Sequence, residues 1–231
     1  MPNNTTPQSP QHILRRDGNV EHLLVYQKSD VLYLLTYTFC QRFLPAHGDR
    51  TVDQMVQAAR SGKQNIVEGC ADGVASTELE LKLLNVARAS LCELREDYAD
   101  YLKTRNLATW GSGHPRYKAL LSFARQHNAI ADYQGLMQQA TDEELANLAL
   151  TLCHQADTLL NRLMQTKEET FRTQGGIKER MHQVRTGYRQ QQEAELASLR
   201  NENAALRSEN ARLTAELASL KQQLSQKDRR E

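Results

Sequence analysis

The sequence predicts an all-α protein: an up-and-down four-helix bundle with a helical insertion and a C-terminal parallel coiled coil. Three observations carry this. Apolar residues recur at helical spacing over four long segments, and no segment of comparable quality reads as a strand. Only 5 of the 231 residues are Pro and 11 are Gly, which disfavours a turn-rich β fold. The tail repeats leucine every seven residues.

Residues 1–20 are rich in Asn, Thr, Gln and Pro and read as a disordered leader. They lack the basic-then-apolar layout of a signal peptide. The bundle is expected over 21–175. Its first helix spans Glu21 to Leu44, with Leu24, Val31, Leu32, Leu35, Phe39 and Phe43 on the apolar face and Pro45 and Gly48 ending it. Thr51-Val52-Asp53-Gln54 has capping-box form and opens a second helix, for which Gly69 is the expected stop. Its seam is Val52, Met55, Ala59, Gly62 and Ile66. A mid-helix glycine costs about 1 kcal/mol against alanine, so Gly62 predicts a close neighbouring helix.

Thr77-Glu78-Leu79-Glu80 is a second capping box and opens a third helix reaching Lys103. Leu79, Leu83, Val86, Leu91, Leu94, Tyr98 and Tyr101 mark its expected buried side. Residues 105–140 break the pattern and form the insertion. Trp110 to Pro115 must be a loop, and Arg116 to Asp132 suits one or two short helices. Thr141-Asp142-Glu143-Glu144 is a third capping box. It starts a helix to Thr173, with Leu145, Leu148, Leu152, Ala156, Leu159 and Leu163 inward and Gly175-Gly176 as the stop.

Residues 176–189 read as a basic linker helix and 190–227 as a leucine zipper. Leu199, Leu206, Leu213 and Leu220 occupy the d positions; Leu196, Asn203, Asn210, Leu217 and Leu224 occupy a. Two Asn at a favour a parallel, in-register dimer, because each Asn needs a partner Asn. Across such a seam Glu195 faces Arg200, Glu202 faces Arg207 and Glu216 faces Lys221. Each exposed pair contributes about 0.3–0.5 kcal/mol and selects orientation more than strength. The alternative is a single solvated helix. A leucine-zipper DNA binder is disfavoured, since the dense basic block such a protein needs is missing and Gly187 interrupts what there is.

The net charge is +1, which excludes a strongly basic nucleic-acid coat and an acidic tail protein. Residues 1–175 carry 18 basic and 20 acidic side chains. The richest basic cluster, Lys178, Arg180, His182, Arg185 and Arg189 at the root of the coil, is a candidate for phosphate or partner contact; a solvated linker helix is the alternative. Arg60 and Lys63 share a face of the second helix and are candidates for phosphate or partner contact; an exposed face with salt bridges to Asp53 or the third helix is the alternative. Asn65 and Glu68 suit either a partner contact or local hydrogen bonding. Trp110 reads as a hydrophobic plug or a partner contact. Glu179-x-x-His182 has the spacing of a di-iron bundle, but no second copy exists, so neither a metal nor any other cofactor is expected. No catalytic triad, nucleophile elbow or phosphate-cradling glycine loop appears, so no enzyme is expected. Cys40, Cys70, Cys92 and Cys153 form no CxxC pair and fit reduced thiols in a cytoplasmic protein. No stretch of about 18 apolar residues is present, so no membrane span is expected.

Residues 22–188 resemble a family of four-helix-bundle proteins first seen as products of intervening sequences in ribosomal RNA genes. The family includes the accessory variability determinant of diversity-generating retroelements. The resemblance lies in Tyr26-Gln27-Lys28, in Gln54-x-x-x-Ala58-Ala59-x-Ser61-x-x-x-Asn65-Ile66-x-Glu68-Gly69, in Ser76-x-Glu78-x-Glu80-Leu81-Lys82 and in Ala87-Arg88-Ala89-Ser90-Leu91-x-Glu93-Leu94. The run from Asp53 to Ile66, with Gly175-Gly176-Ile177-x-Glu179-Arg180-Met181, looks like its "four helix bundle suffix" subgroup. The resemblance implies a bundle, possible pentamers through it, and RNA with a reverse transcriptase as partners. The chain departs from that pattern in having Val56-Gln57 where the family often carries two Arg. Two function classes follow: a non-enzymatic oligomeric scaffold whose coil makes it a dimer, and an RNA-binding accessory of a reverse transcriptase.

Overall fold

The computed structural model describes residues 19–45, 50–72 and 76–227. The leader before residue 19, Gly48 and the side chain of Leu224 lie outside the described residues. The fold is all-α, and no strand occurs among the described residues. The chain divides after Ile177 into two compact units.

The first unit begins with a short 3-10 turn, Val20–His22, capped by the Asn19 side chain. Helix α1 then runs over Leu24–Phe43, starting later than expected because the 3-10 turn takes the first residues. It ends at Leu44, which is extended ahead of Pro45. Val31, Leu32, Leu35 and Phe39 are buried, whereas Leu24 is 50% exposed and does not belong to the core.

Helix α2 spans Arg50–Asp72. Thr51 already lies within it, so it is not the N-cap, and Gly69 is not its stop. The helix continues because Gly69 serves another purpose. A Cβ there would come 3.3 Å from both the Glu80 carbonyl oxygen and the Leu83 Cβ. Gly62 shows the same economy more sharply: its Cβ would lie 2.5 Å from Leu91 Cδ2 and 2.7 Å from Leu91 Cγ. The close neighbour expected from the sequence is helix α3, Thr77–Thr104.

Ser76, not Thr77, caps α3; its hydroxyl accepts from the Leu79 N–H. With the cap at Ser76 the third residue on is Leu79, so Glu80 does not stand at the position that would reach back to the cap. Glu80 is fully buried and ion-paired with Lys167. The buried stripe is therefore Glu80, Leu84, Ala87, Leu91, Leu94, Tyr98 and Tyr101. Leu79 and Val86, expected inside, are 43% and 47% exposed.

The insertion forms two short helices, α4 (Tyr117–Gln126) and α5 (Ile130–Gln139), the second extending beyond the expected Asp132. Helix α6 spans Asp142–Gln174. Its capping box is formed as the sequence predicts: Thr141 Oγ1 accepts from Glu144 N–H, and Glu144 returns an acceptor to Thr141 N–H. Gly175 ends the helix at φ 68°, where a Cβ is strained.

The long helices touch in a closed cycle: α1 with α2, α2 with α3, α3 with α6 and α6 with α1. Toward the C-terminal ends of α1 and α3, Tyr98 and Tyr101 meet Phe39 edge-to-face, with centroids 5.0 and 4.7 Å from it. Tyr98 donates its hydroxyl to Thr36, which resolves the polar tip of a fully buried ring.

The insertion is held to α1 by two cations. Lys28 donates to the carbonyls of Ala124 and His127 at the end of α4. Arg42 donates to the carbonyls of Met137 and Ala140 at the end of α5. Each cation thus satisfies orphan carbonyls at the negative end of a helix dipole.

The described residues of the second unit form one uninterrupted helix, α7, counted from Ile177 to Lys227. The expected linker and zipper are continuous, and Gly187 does not break them.

Candidate functional site

Helix α7 carries the zipper seam on an uninterrupted backbone, so its heptad register holds along the whole length. In the single chain this seam has no cover. Leu196, Leu199, Leu206, Leu213, Leu217 and Leu220 are between 46% and 57% exposed. Elsewhere most large apolar side chains are buried in the first unit. Asn203 and Asn210 also lie exposed in the seam, the former donating weakly to the Leu199 carbonyl.

The same register extends toward the start of α7. Lys178 and Arg185 then fall at d, and His182 and Arg189 fall at a. The apolar seam therefore gives way to a basic one on the same face. Lys178, His182, Arg185 and Arg189 are exposed, while Arg180 lies off that face and is half-buried. Sequence reading finds this cluster by composition; only the continuous helix places four of its members on the seam.

The other phosphate candidates separate. Arg60 is exposed on α2. Lys63 is engaged inside the unit: it pairs with Asp30 of α1 at 3.1 Å and sits 4.6 Å over the Tyr33 ring. The salt-bridge partner is on the first helix rather than at Asp53 or the third. Asn65 donates back to the Ser61 carbonyl at 2.9 Å, a local bond within α2. Among the described residues no group of His, Cys, Asp and Glu side chains could hold a metal. Cys40, Cys70, Cys92 and Cys153 form no disulfide, and burial pushes the Cys153 thiol up, which keeps it protonated.

Sequence reasoning missed a second feature. A cleft of about 780 Å³ opens between α1, α6 and the insertion. Lys28 and Trp110 line it. Trp110 is 8% exposed, stacks on His114 and donates from Nε1 to Glu143 at 2.8 Å. Its backbone N–H donates to Asn147 Oδ1, which completes the plug expected of this residue. Burial lowers the Lys28 ammonium from 10.5 to about 8, with Asp132 partly offsetting that fall. The signal was weak because the lining comes from α1, the insertion and α6, far apart in sequence.

No helix among the described residues is long and apolar enough to cross a membrane. In comparisons with known proteins, no family model, no curated protein and no solved structure matches the chain.

Proposed function

We propose that the chain is a non-enzymatic, cytoplasmic scaffold. Its C-terminal helix pairs in parallel with a second copy and sets the assembly, and its helical unit presents a surface to a protein or ribonucleoprotein partner. The uncovered leucine seam of α7 carries this reading. A 51-residue helix with six half-exposed leucines on one stripe gains by pairing. Burying one leucine side chain contributes about 1.5–3 kcal/mol, and pairing buries each from both strands. The two Asn at a positions and the Glu–Arg and Glu–Lys facing pairs favour the parallel, in-register dimer over other arrangements.

The basic stretch at the root supports the second reading, an RNA-binding accessory of a reverse transcriptase. In a parallel dimer Lys178, His182, Arg185 and Arg189 face their own copies. Like charges resist close pairing, so the two strands diverge below Leu196 and offer a basic fork to a polyanion.

Sedimentation of the full chain tests both. Leu206→Ala/Leu213→Ala lowers the mass from two copies to one under the scaffold reading; an unchanged mass places assembly on the helical unit. RNA binding that weakens with salt and with neutralisation of Lys178, Arg185 and Arg189 supports the fork; salt-independent or absent binding refutes it.

A further inference from the structure

The geometry points to the cleft between α1, α6 and the insertion as a binding site for a free nucleoside monophosphate. The inference is independent of the coil.

The lining of the cleft is charged with one sign. Lys28, Arg125 and Arg162 line it, and no Asp or Glu does. Arg125 comes from α4 and Arg162 from α6, and both are exposed. Neither guanidinium is ion-paired among the described residues. Two such forks from separate elements suit a phosphate, which guanidinium groups bind through paired N–H donors. Lys28 spends two of its three donors on the α4 carbonyls and retains one.

Beside the buried Lys28 ammonium the interior holds amides. Gln155 contributes a side chain whose Oε1 and Nε2 are both shielded from solvent, with no hydrogen-bond partner. Asn128 Oδ1 is in the same condition. Leaving a buried amide unsatisfied is costly, so these groups are matched to something that enters the cleft. A carboxamide offers one donor beside one acceptor. That is the complement of a nucleobase edge, and glutamine is a common reader of it. Trp110 and Tyr117 add aromatic surface to the same lining. The volume, about 780 Å³, is within the range of sites that enclose small organic ligands.

Calorimetry on the full-length chain tests this, with the four ribonucleoside 5′-monophosphates, their nucleosides and inorganic phosphate as probes. The expected result is micromolar binding of at least one monophosphate, with its nucleoside and phosphate alone at least about tenfold weaker. Arg125→Gln/Arg162→Gln, at exposed positions, weakens that monophosphate about tenfold or more and flattens its salt dependence. Gln155→Leu weakens it about fivefold or more and narrows the spread among the four bases, with helicity by circular dichroism unchanged. Failure of every monophosphate to bind below about 1 mM overturns the proposal. So does phosphate binding as tightly as the nucleotides, or affinity indifferent to the arginine pair. If Gln155→Leu perturbs folding, the arginine variant alone decides.

Discussion

Replacing Gly62 by Ala separates two opposing effects whose sizes follow from the structure. In an open helix interior the change stabilises by about 1 kcal/mol through backbone propensity. At Gly62 the added methyl meets Leu91 Cδ2 at 2.5 Å and Cγ at 2.7 Å, far inside ordinary contact. Leu91 is 2% exposed and has nowhere to move without displacing its own neighbours. Overpacking of this kind costs about 2–3 kcal/mol, toward the top of the usual range. The net expectation is destabilisation by about 1–2 kcal/mol in urea-induced unfolding. Gly135 is the control: it lies in α5, and a Cβ there meets nothing within 4 Å. Gly135→Ala should stabilise α5 by the propensity amount, up to about 1 kcal/mol. Adding Leu91→Ala to Gly62→Ala should cost less than the two single costs combined, because the smaller side chain removes the collision. A Gly62→Ala protein as stable as or more stable than the parent would refute the close α2–α3 contact.

Three further outcomes are expected. The Lys28 ammonium is held near 8 in the folded protein against 10.5 unfolded, so between these values the unfolded chain binds more protons and stability rises with pH. The stability difference between the parent and Lys28→Met should therefore climb by about 3 kcal/mol from pH 7 to pH 10.5, a difference that also removes the opposing titration of the buried tyrosines; a flat difference would contradict it. Lys167→Met strips the ammonium from the fully buried Glu80 and should cost about 3 kcal/mol in chemical denaturation, with Glu80→Gln added on top restoring part of the loss. Trp110→Phe keeps an aromatic ring but loses the Nε1 bond to Glu143 and part of the buried indole, and should destabilise the insertion by at least about 1 kcal/mol, read as faster amide exchange in α4.

The helices, the Thr141 box, the Gly175 stop and the tight contact at Gly62 were legible because each is a local signal. The phase of α3 was not. Leu79, Leu81, Leu83 and Leu84 fit two helical faces equally, and the face that won carries Glu80 inside. A buried carboxylate is excluded by pattern reading, and its partner Lys167 lies 87 positions away. Gly69 was legible as special but not for the right reason: close packing against α3 and a helix stop both select glycine. The insertion was legible as a break in periodicity. Its anchoring was not, since Lys28 and Arg42 bond carbonyls nearly a hundred residues further along the chain. For the candidate site, the leucine and basic residues of α7 were legible from spacing and composition. Lys63 read as a phosphate ligand only because its ion pair with Asp30 is a contact between helices.

Native mass spectrometry of the full-length protein, purified without nuclease, tests the central claim most directly. The predicted result is two copies of the chain, falling to one when Leu206 and Leu213 are replaced by Ala. A monomer, or a pentamer that survives the same replacements, would contradict the claim that the exposed seam of α7 sets the assembly.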